Sequence, residues 1–549
     1  MTNHTSRANK TIPTPSRSFA TTGLEKVNFS VIGLLLVILV GAFLRFENIS
    51  QPFVDKFSWR ETSTAMMAQN FYRGRWNILY PEVDWGGPGP NYQGREFQTV
   101  TYIAAILYIP FGQHEWVSRS VTVSFGLWGI FALYQLVRRV WDEERALTSA
   151  GLMAVLPGAV FLDRSFLPDP AMGALLITSL WMLVAYCQTA KLCYLVGSAV
   201  FGCLGILTKL PGIIIGLPAI YAIYAIFGRR ALERQKLLSF LGAGISVLVV
   251  ISAYYLWARH LSLTYPPYHF AGQHQFISLT KIHVWLAQYY FLPQCIKQLF
   301  GWLWTWPFAV LAFMGLLLSP AKAKKGEPSD APWFWHWFGV ALVIDYLMEA
   351  QHLVDDPNNM YLYTFFGAAI GGNAIVMVGQ RIWPNRFQIS KTIAILGIIV
   401  IIGLFGTQQI QRRYNPTYAP SYRLGIMVNR IADPNDLIIS FGLNPCTIYY
   451  SGLRGWLFPP TEIWHTSLGW DYGELDIKSL NSLWERGAKW LVISNSNEEY
   501  ANANDLKSGH RKKLWAYIQS SFELYDENED GAIFRLPAYP HPTTGPTAG

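Results

Sequence analysis

Acidic and basic side chains gather in a few short stretches of this 549-residue chain, and the densest runs from Asp55 to Glu96. It opens with Asp55, continues through Trp59, Arg60 and Glu61, and enters the helical pattern ETSTAMMAQNFYRG. A carboxylate such as Asp55 can take a proton from an incoming hydroxyl as a general base. An arginine such as Arg60 can grip a phosphate through two parallel hydrogen bonds. The structural alternatives are a turn role for Asp55 and a helix-capping role for Glu61. The run VDWGGPGPNYQG comes next. It lacks the Walker and dinucleotide patterns and follows no strand, so it reads as a flexible linker rather than a phosphate cradle. Arg95 and Glu96 close the stretch where the chain returns to apolar sequence. Charges at that depth are costly unless paired or used.

Three further stretches carry candidate chemistry. DRSFLPDP places Asp163, Arg164 and Asp169 in one short turn, although Pro168 and Pro170 could set that turn alone. ILTKLPG holds Lys209. AQHLVDDPNNMYLY places His352 beside Asp355 and Asp356. A single histidine in such a turn reads more readily as structural than as a ligand. The five cysteines have no metal-like spacing, and no metal or other cofactor is indicated; a disulfide between Cys295 and Cys446 is one option. HExxH, Ser-His-Asp and nucleotide-binding patterns are absent.

The elements that must position these residues are membrane helices. The chain is 51% hydrophobic and 14% charged, against about 25% charged in ordinary soluble domains. Its apolar blocks run to about 16–20 residues, enough to cross roughly 30 Å of hydrocarbon. The 22 tryptophans suit a protein with many membrane interfaces. The net charge of +8 is scattered over short loops rather than gathered in a stripe, which argues against nucleic acid. The first span covers about 29–46. The short apolar stretch 97–112 poses a parity question. If it lies along the interface instead of crossing, Arg138, Arg139, Arg145, Lys191, Arg229, Arg230, Arg234, Lys236, Lys322, Lys324, Lys325, Arg381, Arg386 and Lys391 all fall inside, as the positive-inside rule demands. Spans then follow at about 118–137, 146–162, 170–187, 192–207, 213–227, 238–257, 300–317, 333–350, 360–379 and 392–406, about eleven in all.

The expected organisation is a cytoplasmic tail at 1–27 and a transmembrane domain at 28–406 with a long outer loop at 47–117. A soluble extracytoplasmic α/β domain follows at 407–540, then a disordered tail at 541–549. DLIISFG and WLVIS read as buried strands and KSLNSLWERGA as an amphipathic helix ending at Gly487. A second helix near 511–521 leads into a hairpin, FELYDENEDGAIFRL, turning at Asp530–Gly531.

These pieces, in this order, resemble the GT-C superfamily of membrane glycosyltransferases, in particular the protein O-mannosyltransferases and the enzymes that transfer aminoarabinose to lipid A. The resemblance covers about residues 29–380. It rests on Asp55 with WRETSTAMMAQNFY, on EFQTVTYIAAILYIPFG, on VSRSVTVSFG and on RSFLPDPAMGAL, with ILTKLPG and the His352 turn adding to it. It implies a multi-pass plasma-membrane enzyme that moves a sugar from a polyprenyl-phosphate donor to a hydroxyl of a glycan, lipid or protein acceptor on the outer face. By position, Asp55 matches the catalytic base and Arg60 a donor-phosphate contact. Glu96 matches the acid opening the interfacial helix, Asp169 the acid of the second outer turn, and Lys209 a lysine near the lipid phosphate. Arg164, Glu61 and His352 complete the expected substrate-binding set. Three departures stand out: Gln98 where relatives carry proline, Glu61 where glutamine is usual, and Lys56 after Asp55 where an acidic pair marks the protein O-mannosyltransferases. With no second carboxylate as nucleophile, direct displacement would invert the anomeric carbon. The competing readings are a transporter or flippase, and a non-catalytic binder of lipid-linked sugar.

Overall fold

The computed structural model describes residues 21–270, 287–318, 331–383, 388–458, 474–496 and 512–540. Both expected terminal tails fall mostly or wholly outside these residues, as do Lys322, Lys324, Lys325 and Arg386. The first half of the chain builds α1 (Thr21–Arg45), α2 (Ser58–Tyr72), α3 (Thr99–Phe111), α4 (Glu115–Val140), α5 (Glu143–Val155), α6 (Pro157–Arg164), α7 (Asp169–Thr189) and α8 (Leu192–Thr208). Six described helical segments are long and apolar enough to cross a membrane, and eight if each of two bent pairs counts as one span. Large apolar side chains such as Leu36, Phe43, Ile220, Leu256 and Leu404 face outward, while charged ones such as Arg45, Asp163 and Arg119 are buried. That inversion of the soluble pattern is what a lipid solvent selects, and the chain is a multi-pass membrane protein. The α4 and α7 windows are 67% and 89% buried, so these helices form the centre; Arg234–Thr264, at 6%, lies at the rim.

Side-chain contacts sort the loops into two ends. Arg139 bonds Gln188, Arg145 bonds Asn373, and Lys391 pairs with Glu144 at 2.7 Å. The loops holding Arg139 and Arg145, Lys191 and Lys391 therefore meet at one end of the bundle. The 13 residues of α3 extend about 20 Å, less than the roughly 30 Å of hydrocarbon.

Two expected straight spans are broken. The segment 146–162 bends by 61° between α5 and α6, where Pro157 opens the second helix. The segment 300–317 is a pair bent by 112°. Thr305 stops one helix and caps the next, its hydroxyl accepting from the Phe308 N–H, with Pro307 in the first turn. Hydropathy averaged over such a window cannot register a break between two equally apolar pieces.

The C-terminal region forms one five-stranded sheet of β1 (Leu437–Phe441), β2 (Arg454–Phe458), β3 (Ala488–Ser494), β4 (Glu523–Asn528) and β5 (Gly531–Arg535), in the order β2-β1-β3-β5-β4. The pairs β1–β2 and β1–β3 are parallel; β3–β5 and β5–β4 are antiparallel. The expected strands, both helices and the hairpin are present, while β2 was not anticipated. One sheet face packs on Glu474–Glu485 and Lys512–Ser521 through Leu480, Leu514 and Ile518. On the other, Ile438, Leu457 and Val492 share a core with Met66 of α2, Trp85 and Leu424. The domain is thereby packed onto the first outer loop rather than tethered beside it.

The glycine-rich run is not the expected linker. The Gly86 and Gly87 amides both donate to the Gly455 carbonyl at 2.8 Å, and the Gly455 amide donates to the Asp84 carbonyl at 3.0 Å. The run thus adds an edge to β2. Gly86 and Gly87 take φ of +134° and +119°, open only to glycine at low cost. A side chain on Gly87 would also meet the Trp456 indole at 3.0 Å. Glu82, almost fully buried, pairs with Arg75 and, at 2.6 Å, with Arg454 of β2. Cys295 and Cys446 are buried and not joined to each other, the first set against the Ala350 carbonyl and the second against that of Phe53, so the disulfide option is not realised.

Gly87→Val is expected to cost about 1–3 kcal/mol through backbone strain and crowding, lowering the melting temperature in detergent. Gly397→Ala, in the interior of the helix Gln388–Gln411 and with nothing within 4 Å of its added methyl, is expected to leave the melting temperature unchanged or raise it slightly, alanine being the better helix former.

Candidate active site

Helix α2 separates two polar clusters. Consecutive residues on a helix point about 100° apart, so Arg60 and Glu61 face different surroundings. Glu61 faces inward, into a cluster with Asp55, Arg119 and Arg164, all four 0% exposed. Arg119 grips Glu61 with two hydrogen bonds, Nε to Oε1 at 3.0 Å and Nη2 to Oε2 at 3.2 Å. Arg164 Nη1 donates to Asp55 Oδ2 at 2.7 Å, and Arg119 lies 3.9 Å from the same oxygen. The remaining guanidinium protons go to the carbonyls of Asn48, Ile49 and Gln51. The second oxygen of Asp55 accepts from the Phe57 N–H at 3.2 Å, the local bond of an Asx turn. Glu61 Oε1 also accepts from the Phe166 N–H at 2.9 Å, tying α2 to the turn that leads into α7.

Asp55, expected as the catalytic base, stands inside this closed group. Its carboxylate is committed to Arg164 and to its own turn, and is shielded from solvent. Glu61 and Arg164, expected to touch substrate, are in the same position. The physical reason is charge pairing: two acids and two guanidiniums sealed from water are tolerable only when each satisfies another. Arg119, absent from the expected set, supplies half of that pairing. Its signal was a single arginine in the apolar stretch VSRSVTVSFG, which demands a partner.

Arg60 faces the second cluster, which lies at the opposite end of the bundle from the basic loops. Here helix ends converge: Glu96 just before α3, Asp169 as the first residue of α7, Lys209 just after α8, and the turn after Phe334–Asp355. Arg60 Nη2 contacts Asp356 Oδ2 at 2.5 Å, their side chains 15% and 31% exposed. Lys209 Nζ lies 2.5 Å from both Asp169 Oδ1 and Asn359 Oδ1. Asn358 Nδ2 donates to both Asp169 oxygens at 3.3 Å. Arg95 Nε pairs with Glu96 Oε2 at 3.1 Å, the Glu96 side chain being 14% exposed. His352 Nδ1 stands 3.9 Å from Asp356. Of the expected residues, the structure thus brings together Arg60, Glu96, Asp169, Lys209 and His352. It adds Arg95, Asp356, Asn358 and Asn359, all from stretches singled out for their polarity. Among the described residues, no three His, Cys, Asp or Glu side chains are grouped so as to hold a metal ion.

The electrostatics of the cluster are strongly coupled. Burial alone would raise the Glu96 carboxyl, but Arg95, a backbone hydrogen bond, Arg60 and Lys209 outweigh it and hold it at about 2. Burial likewise opposes ionisation of Asp356, and Arg60, then His352 and Lys209, hold it at about 2. Burial would lower the Arg60 guanidinium, whereas Asp356, Glu96 and Asp169 raise it above its ordinary value. Three cations and three carboxylates balance in this cluster. An anion entering it must therefore displace a carboxylate, and the most exposed pair is Arg60–Asp356.

Comparison with known proteins bears on this arrangement. Residues 99–257 match the family described as dolichyl-phosphate-mannose-protein mannosyltransferase. Two curated relatives from Bacillus subtilis (strain 168) are similar over part of their length. The putative mannosyltransferase YkcB is 27% identical over 222 residues, 40% of this chain and 30% of that protein. The putative mannosyltransferase YycA is 25% identical over 202 residues, 37% of this chain and 28% of that protein. The matched region spans less than a third of either relative. Among solved structures, ArnT from Cupriavidus metallidurans bound to undecaprenyl phosphate superposes with a TM-score of 0.61 at 13% identity, covering 95% of this chain and 100% of that one. The Archaeoglobus fulgidus oligosaccharyltransferase tethered to an acceptor peptide gives 0.55 at 13% identity, covering 95% and 76%. Over residues 99–257 the chain is thus similar in sequence to that mannosyltransferase family, and over nearly its whole length it shares the fold of these two solved proteins.

Proposed function

We propose that this chain is an inverting glycosyltransferase that moves a sugar from a polyprenyl-phosphate donor to an acceptor hydroxyl on the outer face of the membrane. The observation that carries the reading is the cluster of Arg60, Arg95 and Lys209 where helix ends meet, opposite the basic loops, with Arg60 its most exposed cation. Two neighbours in fold lend support: ArnT was captured with undecaprenyl phosphate, and the archaeal oligosaccharyltransferase AglB with a dolichol-phosphate. On this reading the basic end of the bundle is cytoplasmic, and the C-terminal domain and both polar clusters lie outside.

The donor phosphate displaces Asp356 from Arg60 and lies between Arg60 and Lys209. As the bond from the anomeric carbon to the phosphate oxygen breaks, its electron pair stays on the phosphate. Preorganised guanidinium and ammonium groups stabilise the charge that develops there. The acceptor oxygen attacks from the opposite face and forms the new bond. Its proton passes to Glu96, which takes the base role expected of Asp55. Without donor, Glu96 is a weak base because three cations hold its proton affinity down. The donor phosphodiester brings one further negative charge into the cluster, so donor binding itself raises the basicity of Glu96. Asp169 remains engaged with Lys209 and Asn358 and positions that lysine. Asp55, Glu61, Arg119 and Arg164 fix α2 and hence Arg60. The acceptor is a hydroxyl of a glycan, lipid or protein.

With membranes supplied with labelled polyprenyl-phosphate mannose, Arg60→Ala is expected to slow transfer about 100- to 1,000-fold. Glu96→Gln is expected to slow it about 100- to 10,000-fold. Both variants should keep the melting temperature of the parent protein. Asp55→Asn strands a buried guanidinium and is expected to cost about 3–5 kcal/mol of stability, seen as a lowered melting temperature. An Asp55→Asn protein that melts normally yet is inactive would return the base role to Asp55.

The pH profile follows from the two depressed carboxyls. Glu96 and Asp356 sit below their ordinary values of about 4, so the ion-pair stabilisation they give is fully present above that range and fades as pH falls toward about 2. In the free enzyme neither group titrates between about pH 5 and 8. Because donor binding raises Glu96, the acid limb of kcat is expected at higher pH than that of kcat/KM. Coincident limbs would contradict the coupling.

A further inference from the structure

We propose that the cavity where the end of α2 and the start of α4 meet the C-terminal domain is a subsite for a neutral sugar unit of an extended glycan acceptor. This rests on the transferase reading above and names its acceptor class. The cavity has a volume of about 260 Å³ and is lined by Gln69, Arg73, Glu115, Asn429, Tyr449 and Tyr450, among others. That is near the lower end of small-ligand pockets, about 300–1,000 Å³, and suits one monosaccharide unit rather than a chain.

The observation pointing to a ligand is Gln69. Its side chain is 6% exposed, and its amide oxygen is buried without a hydrogen-bond donor. Gln69 lines the cavity; its unsatisfied oxygen costs about 1–3 kcal/mol, and a turn of the amide would bring it against a ligand hydroxyl. The surrounding groups match the same chemistry. The Tyr449 and Tyr450 rings stand 4.9 Å apart at 77°, giving apolar faces on which the C–H face of a sugar ring can rest. The Tyr450 hydroxyl donates to Glu115 Oε1 at 3.0 Å, and that of Tyr449 accepts from the Gln113 amide at 3.3 Å, so both rings are held in place. Arg73, with its side chain 43% exposed, stays free enough to turn into the cavity. One guanidinium against one carboxylate leaves the lining close to neutral, so it selects polyols over anions. Planar amide, carboxylate and guanidinium groups pair naturally with neighbouring hydroxyls.

The placement fixes the length of the acceptor. Arg60 and Arg73 stand at opposite ends of α2, 13 positions apart, about 20 Å along the helix. An acceptor with one sugar in the cavity and its reacting hydroxyl beside Glu96 must bridge that distance, which a single monosaccharide cannot do. The reacting hydroxyl therefore belongs to a glycan of several units, on whatever carrier.

The test uses the full chain in detergent and saturation-transfer NMR. The probes are methyl α-mannoside, methyl β-glucoside, galactose, N-acetylglucosamine and an Ala-Ser-Ala tripeptide. At least one sugar is expected to show saturation transfer, with affinity reduced at least 10-fold in Gln69→Leu and in the more exposed Arg73→Ala, and unchanged in Arg60→Ala. No sugar signal, sugar binding indifferent to both cavity variants, or binding of the tripeptide instead would each overturn the proposal. Undecaprenyl phosphate binding to the same preparations reports on the transferase reading separately. It is expected to be lost in Arg60→Ala and kept in Arg73→Ala. Its absence from the parent protein would count against that reading without touching the sugar subsite.

Discussion

Two carboxylates and two guanidiniums, sealed from solvent behind α2, hold the first long loop in one arrangement. Asp55 and Glu61 come from that loop, Arg119 from α4 and Arg164 from the end of α6. Each member makes the others tolerable, and removing one leaves an uncompensated buried charge worth several kcal/mol. Such a lock is stiff because no member can leave without a large electrostatic cost. Its consequence lies on the far side of the same helix. Fixing Glu61 fixes the rotation of α2 about its axis, and that rotation aims Arg60 at Glu96, Lys209 and Asp356.

The C-terminal sheet reinforces this from outside. Its β1–helix connection reaches the start of α2, where the Tyr450 hydroxyl accepts from the Phe53 N–H at 2.8 Å. The glycine run pairs with β2, and Met66 shares a core with Ile438 and Val492. The loop is thus held between a membrane bundle and a soluble sheet, with little freedom to fray. What remains adjustable is the exposed Arg60–Asp356 contact. A site that is rigid around one exchangeable ion pair suits the binding of an anionic group, because entry of the ligand reorganises little else.

Much of this was legible in the sequence. Composition and block length gave a membrane protein, and loop charge marked out the loops that gather at one end of the bundle. Both signals survive averaging over many residues. The polar stretches that would converge were also visible, since charge in an apolar chain is conspicuous. What could not be read was which charge meets which. Asp55 and Arg164 are separated by more than a hundred positions, and a local pattern shows the same acid whether it faces water or a buried arginine. Gly86 and Gly87 were misread for a related reason: positive φ serves a flexible linker and a fixed edge pairing alike, and only the partner carbonyl of Gly455 tells them apart. The strand β2, opening on Arg454 and Gly455, carries too few apolar residues to announce itself. The breaks at Pro157 and Thr305 are short interruptions inside runs that stay apolar throughout.

The central claim is that donor phosphate binds on the Arg60 side of α2 and not among the buried arginines. A cryo-EM structure of the full chain with undecaprenyl phosphate would test it most directly. The account predicts phosphate density within hydrogen-bonding distance of Arg60 and Lys209, with Asp356 displaced and the Asp55–Arg164 pair intact. Phosphate held by Arg119 or Arg164, with Asp55 released toward the acceptor side, would contradict it.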